Sequence, residues 1–259
     1  MPRQDCSGSG LYPSPVSAGI FDDLVAEQDR LEAILSELPG DGWLSPSGAT
    51  GWTVADVVLH LAQTEELVVA SVTGHSDRDW RPGGSTLDEA MDRMVRADQA
   101  APAEIFRRWR SARRTAVDAL RQADPQRRYP WASAPLKPAT LATTRLAEHW
   151  AHGLDITGPL GVPFTDTDRL RHIAWLGHSS LPYAFSFAGQ EPHEVFCELT
   201  APDGSTWRFG PAGADSTITG PAGAFCRVGA RRLPPEQSGL VARGPHGPAA
   251  LRVLRNYAG

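Results

Sequence analysis

Lysine is almost missing from this chain: Lys137 stands alone, and every other basic side chain is arginine. With 25 Gly and 22 Pro, that bias reads as the coding habit of a GC-rich bacterial genome rather than as chemistry. Cysteine is scarce as well. Cys6, Cys197 and Cys226 are odd in number, widely spaced and without a Cys-x-x-Cys pair, which argues against a disulfide scaffold and a thiolate zinc site. No stretch approaches the roughly 18 consecutive apolar residues of a membrane span. The N-terminus shows no charged-then-apolar signal pattern, so the expected compartment is the cytoplasm. Positive charge is not in excess: the net charge is −5 and the basic residues are scattered, leaving no electrostatic footprint for nucleic acid.

What is present is enough for a sizeable core. At 259 residues, with ordinary apolar and charged fractions, the chain has room for one large or two modest domains. Residues 1–17 are rich in Ser, Gly and Pro and read as a loose leader. Ile20–Leu38 carries apolar residues at one-sided helical spacing until Pro39-Gly-Asp-Gly42 stops it. Thr53 and Asp56 form a capping-box pattern that opens a second helix, with Trp52 placed to staple its start and Gly74 to end it. After a polar stretch from His75 to Ser85, Leu87–Ala100 and Ala103–Gln122 are helical in pattern, and a proline-punctuated loop leads to a helix over about Thr140–Ile156. From 161 the texture changes. Asp166–Ala188 reads as helix, Val195–Ala201 and Thr206–Phe209 as a hairpin, Ser216–Thr219 and Gly239–Arg243 as strands, and Ala222–Arg231 and Pro248–Asn256 as helices. The expected fold is α+β: an antiparallel helical bundle over 18–160, then a small α+β domain over 161–259 with three or four strands. No internal repeat is visible.

One stretch carries chemistry: Arg145-Leu-Ala-Glu-His-Trp-Ala-His-Gly-Leu-Asp155. Glu148 and His152 stand four apart and Asp155 three further on, so a helix sets all three on one face. His60 lies 148 − 60 = 88 residues before Glu148, in another apolar helical run. A His, a Glu and a His from two helices of a bundle suit a catalytic divalent ion, which takes three protein ligands and keeps one position open. Asp155 is placed to orient a ligand histidine from behind. By spacing alone His149 and His152 form a competing pair, and the ordinary alternative is a hydrogen-bonded core histidine beside a solvated glutamate.

Gly51-Trp-Thr-Val-Ala-Asp-Val-Val-Leu-His-Leu61, with Glu148, His152 and Asp155 following in order, resembles the signature of the DinB-like metal-binding bundles. It is most similar to the mycothiol-dependent maleylpyruvate isomerase branch, and the likeness extends past the bundle to Ile218-Thr-Gly-Pro-Ala222 and Phe225. The resemblance implies a four-helix bundle with His60, Glu148 and His152 as ligands of a divalent metal. Zinc is the first expectation, with nickel, iron or manganese also suited to that donor set. It also implies a thiol cosubstrate, mycothiol, and a small organic substrate. Two departures are visible: Gly153 stands where many members carry a further histidine, and His149 and Trp150 differ from the usual pocket wall.

Three functions follow. In the first, the metal favours thiolate over thiol, and the sulfur adds to an activated double bond for isomerisation or S-transfer. In the second, no thiol takes part and the metal acts as a Lewis acid in elimination, cyclisation or hydrolysis. In the third, four protein ligands, His149 included, close the site around a stabilising metal in a non-catalytic binding protein. Arg107, Arg108, Arg110, Arg113 and Arg114 are expected to form a solvated helix face. His172 and His178 are expected at the surface or between domains. Trp131, Trp150 and Trp175 are read as core before pocket wall, and Cys197 and Cys226 as buried small hydrophobes.

Overall fold

The computed structural model describes residues 19–75, 86–132, 134–256. The leader, most of the polar stretch 75–85 and residues 257–259 lie outside them. Helix α1 (Ile20–Ser36) is followed by a short 3-10 turn (Gly42–Leu44), then α2 (Val54–Thr73), α3 (Leu87–Ala97), α4 (Pro102–Gln122) and α5 (Pro138–Leu160). The start of α2 is built as its sequence requires. Thr53 Oγ1 accepts from the Asp56 backbone N–H, and Asp56 accepts from the Thr53 backbone N–H at 2.8 Å. Gly74 ends the helix with φ +78°, a left-handed conformation that costs a glycine least.

From Val54 to Glu65 every residue of α2 is buried, so this helix is the bundle's central element, packed against α4 and α5. Helix α1 lies against α5 and α4. The arginine run on α4 is not a simply solvated face. Arg110 reaches Glu32 at 2.7 Å, Arg113 is buried against Asp29 and Glu32, and Arg108 holds Glu66 at 2.7 Å and Asp98 at 2.6 Å. The carboxylates offered by α1, α2 and the end of α3 convert the run into stitching between helices. Arg107 and Arg114 match the solvated reading, at 75 % and 60 % side-chain exposure.

The chain continues through α6 (Leu170–Ser179), α7 (Leu181–Phe187), β1 (Phe196–Thr200), β2 (Thr206–Phe209), β3 (Thr217–Pro221), α8 (Ala222–Gly229), β4 (Val241–Arg243) and α9 (Gly247–Val253). The predicted single helix over 166–188 is broken at Ser180, where Pro182 enters the first turn of α7. The strands form one sheet in the order β2-β1-β3-β4. β1 pairs antiparallel with β2 and parallel with β3, and β3 is antiparallel to β4. Cys197, Leu199, Trp207, Phe209 and Ile218 turn inward, while Glu198 and Arg208 pair on the outer face at 2.8 Å.

The fold is therefore α+β, a helical bundle followed by a small four-stranded α/β part. One apolar cluster runs through both, from Ile20 and Leu141 to Phe185, Ile218 and Leu254. Arg169 holds Glu27 of α1 at 2.7 Å and His172 reaches Asp23 at 2.7 Å, so polar contacts also join the parts. Among the described residues no helix is long and apolar enough to cross a membrane.

Candidate metal centre

His60 projects from the middle of α2, Glu148 and His152 from successive turns of α5, and the three meet. Glu148 Oε2 lies 3.6 Å from His60 Nε2 and 3.5 Å from His152 Nε2. All three donor atoms fall within 4.8 Å of one another. Those separations exceed a good N–H···O bond. They approach the ~3.4 Å expected between tetrahedral ligands placed at ~2.0–2.1 Å from one ion. The donor set, two imidazoles and one carboxylate, fits a divalent metal of the zinc type.

Behind His152 stands Asp155, whose Oδ2 is 2.9 Å from Nδ1. With the Nδ1 proton donated to that carboxylate, the Nε2 lone pair faces Glu148 and His60. Asp155 is itself held by Arg232, a residue of the segment after α8, through bonds of 2.9 and 2.5 Å. The backbone N–H of Gly48 also donates to the Asp155 carbonyl at 2.7 Å. The sequence placed Asp155 correctly behind the histidine but gave no sign of Arg232, 77 residues away.

The electrostatics follow from this packing. Burial lowers the His60 pKa, and the nearby Glu148 only partly offsets it. For Glu148, burial acts upward, but its contacts with His152 and His60 and the positive Arg145 outweigh it, holding the carboxyl well below its ordinary range. His152 is pulled down by burial and pushed up more strongly by Asp155 and Glu148, so its net shift is upward.

His149 takes no part. Its ring is fully buried on the other side of α5, where Nε2 accepts from Trp109 Nε1 at 3.2 Å and Nδ1 donates to the Arg145 carbonyl at 2.8 Å. Both ring nitrogens are used in neutral hydrogen bonds, and burial together with Arg145 lowers its pKa to about 3. The competing His149/His152 pair is thereby dissolved: spacing allowed it, but Trp109 and the Arg145 carbonyl hold the His149 ring elsewhere.

Gly153 does not loosen α5, which continues to Leu160. A Cβ at Gly153 would stand 2.5 Å from Phe164 Cζ, and Arg30 lies over that ring at 3.6 Å. The missing side chain makes room for Phe164.

The three residues open onto a cleft of about 960 Å³ between α2, α3, α5 and the α/β part. Trp52 forms one wall. Its ring lies 5.2 Å from that of His60 and stacks at 6.5 Å on that of His152, and Nε1 donates to Asp92 of α3 at 2.8 Å. The expected staple is therefore a pocket residue. Trp131 also lines the cleft, whereas Trp150 is core, as read. One turn before Glu148, Arg145 lines the cleft with its guanidinium fixed by Glu65 (Nε–Oε1 3.0 Å) and Thr64 (Nη2–Oγ1 2.7 Å). Arg145 and Glu65 went unrecognised in the sequence, although an arginine on the helix face of two candidate ligands is itself a signal. Both cysteines of the described residues are buried, and burial pushes the Cys197 thiol up to about 12.

Residues 24–157 match the family described as the mycothiol maleylpyruvate isomerase N-terminal domain. Two uncharacterised proteins of Mycobacterium tuberculosis, from strains CDC 1551 and H37Rv, are each 34 % identical over 242 residues, covering 92 % of this chain and 94 % of theirs. The fold is similar to the crystal structure of the mycothiol-dependent maleylpyruvate isomerase, with TM-score 0.60 and 15 % identity over 90 % of this chain and 96 % of that one. A histidine-to-alanine mutant of that isomerase superposes with TM-score 0.59 at 14 % identity and the same coverage.

Proposed function

The chain belongs to the mycothiol maleylpyruvate isomerase branch of the DinB-like metal-binding proteins, and on that premise we propose that it is a divalent-metal-dependent enzyme using a low-molecular-weight thiol, mycothiol, to isomerise a small organic molecule or transfer sulfur to it. The observation that carries this reading is the convergence of His60 Nε2, a Glu148 oxygen and His152 Nε2 at the floor of an open cleft. These three would hold the ion, zinc in the first place. Bound there, it would supply the stabilisation of thiolate over thiol that makes a sulfur nucleophilic at neutral pH.

The remaining work falls to the chain itself. Asp155 fixes the His152 ring and Arg232 fixes Asp155, so the pair of helices presents its donors without reorganising. Trp52 and Trp131 cover the cleft with apolar surface and limit water near the reacting atoms. Arg145, locked by Glu65 and Thr64, places a fixed positive charge beside the site. Addition of an external sulfur to an activated double bond leaves a single bond free to rotate, and its expulsion returns the other isomer. Retention of the sulfur, with proton uptake at the neighbouring carbon, yields a conjugate instead. Burial leaves Cys197 and Cys226 unsuited to supply that sulfur, which favours an outside thiol.

The geometry weighs against a closed, purely stabilising site, because His149, the expected fourth ligand, is committed to Trp109 and the Arg145 carbonyl. The deciding experiment is elemental mass spectrometry on protein purified without a histidine tag. Near-stoichiometric metal in the wild type and little in His152→Ala is the expected result. A wild type that is metal-free and takes up no zinc, nickel, iron or manganese would overturn the proposal.

A further inference from the structure

A second cavity of about 770 Å³ adjoins the cleft and shares Leu67 and Trp131 with it. Its character differs from that of the cleft around His60. Gln63, Glu66, Ser71, Asp98 and Arg108 line it, and Trp131 lines it as an aromatic neighbour. Arg108 bridges Glu66 and Asp98 with its fork, so most of the charge in the cavity is internally balanced. Gln63 is buried, donates to the Met94 carbonyl at 3.0 Å and Asp98 at 3.2 Å, and keeps Oε1 without a hydrogen-bond partner. A carboxylate–guanidinium cluster beside an indole is the chemistry that recognises a neutral, polyhydroxylated ring. Carboxylate oxygens accept from hydroxyls, guanidinium N–H groups donate to them, and the ring's C–H face lies on the aromatic plane.

Both cavities lie along α2. His60 and Thr64 face the first, Gln63, Glu66, Ala70 and Ser71 face the second, and Leu67 stands at the shared wall. From His60 to Ser71 the helix rises about 16 Å, room for an elongated ligand with its reactive end at the histidine and its polar end beyond Trp131. We infer that the second cavity is the subsite for the hydroxyl-rich, non-reacting end of the thiol cosubstrate, whose sulfur lies at His60, Glu148 and His152. This rests on the thiol-dependent reading above. Mycothiol has the required form, an acetylated cysteine joined to two polyhydroxylated rings, whereas N-acetylcysteine has the reactive end alone.

The test is calorimetric titration of the metal-loaded full chain with each thiol. Ala70→Trp fills the second cavity from a half-buried position, and Glu66→Ala, at a 44 % exposed side chain, removes an acceptor with little risk to folding. Both are expected to lower the ratio of mycothiol to N-acetylcysteine affinity, Ala70→Trp by a factor on the order of 10 to 100, the worth of a few hydrogen bonds. Unchanged ratios in both variants, with mycothiol still bound by the wild type, would overturn the subsite and leave the thiol reading intact. Failure of metal-loaded wild type to bind mycothiol at all would overturn the thiol reading and the subsite with it.

Discussion

His149 and His152 are one turn apart on the same helix, both buried, and their surroundings have opposite designs. On the His149 side every polar atom of the ring is answered from within: indole to one nitrogen, backbone carbonyl to the other. On the His152 side one nitrogen is answered by Asp155, while the other faces a carboxylate and a second imidazole across gaps too long for good hydrogen bonds. Burial is common to the two sides and cannot distinguish them. Whether the donors have already found partners can. A closed network contributes stability; an incomplete one is what a ligand completes.

Three perturbations test that contrast. The largest acts on the closed side. Trp109 is fully buried, so Trp109→Ala should cost about 3–5 kcal/mol in urea unfolding, while the metal bound per folded molecule stays at the wild-type value. Metal loss in proportion to destabilisation would break the distinction. Next, Asp155→Asn acts on the open side. It should weaken metal affinity about 10- to 100-fold in chelator competition, because the amide is a poorer orienting partner for His152. An unchanged affinity would mean that Asp155 serves packing alone.

The smallest effect is in the pH dependence of metal-stripped protein. His149 titrates near 3 when folded, against about 6.5 unfolded. As pH falls below about 6.5 the unfolded chain takes up the proton first. Stability from this group, complete above that pH, is therefore lost progressively down to about 3. His152, whose folded pKa is raised, behaves oppositely: its contribution is complete below about 6.5 and disappears as pH rises through the folded value. His149→Gln should therefore flatten the acid limb of stability by up to about 1.4 kcal/mol per pH unit, measured by urea unfolding between pH 4.5 and 7.5, and His152→Gln should not. Equal flattening in both would show that the two rings are not differently committed.

Local signals carried far in this chain. The capping box at Thr53 and Asp56, the glycine stop at 74, and the one-sided helices and hairpin need only neighbours in sequence, and the structure has them. The approach of Glu148 and His152 follows from the helical period in the same way. What periodicity could not contain was the direction in which His149 turns, since that depends on Trp109, 40 residues earlier. Nor could it contain the brace from Arg232, the Arg145–Glu65 pair 80 residues apart, or the carboxylates that meet the α4 arginines. Each is a bond between charges whose partner is chosen by packing, and a charged residue's local pattern is the same whether it meets water or an opposite charge. The position of Trp52 was legible, but its role was not: a residue before a helix serves as staple or pocket wall depending on what packs above it, here Asp92.

The grip of Arg232 on Asp155 has a consequence for how this protein can change over generations. The three donor residues all sit in the helical half, yet the last link that aims one of them is supplied by the other half. A bundle transplanted without its companion would inherit the three donors and lose their alignment. Exchange of C-terminal segments between relatives is thus constrained at a position that no donor-residue motif would mark, and the halves are expected to travel as one heritable unit.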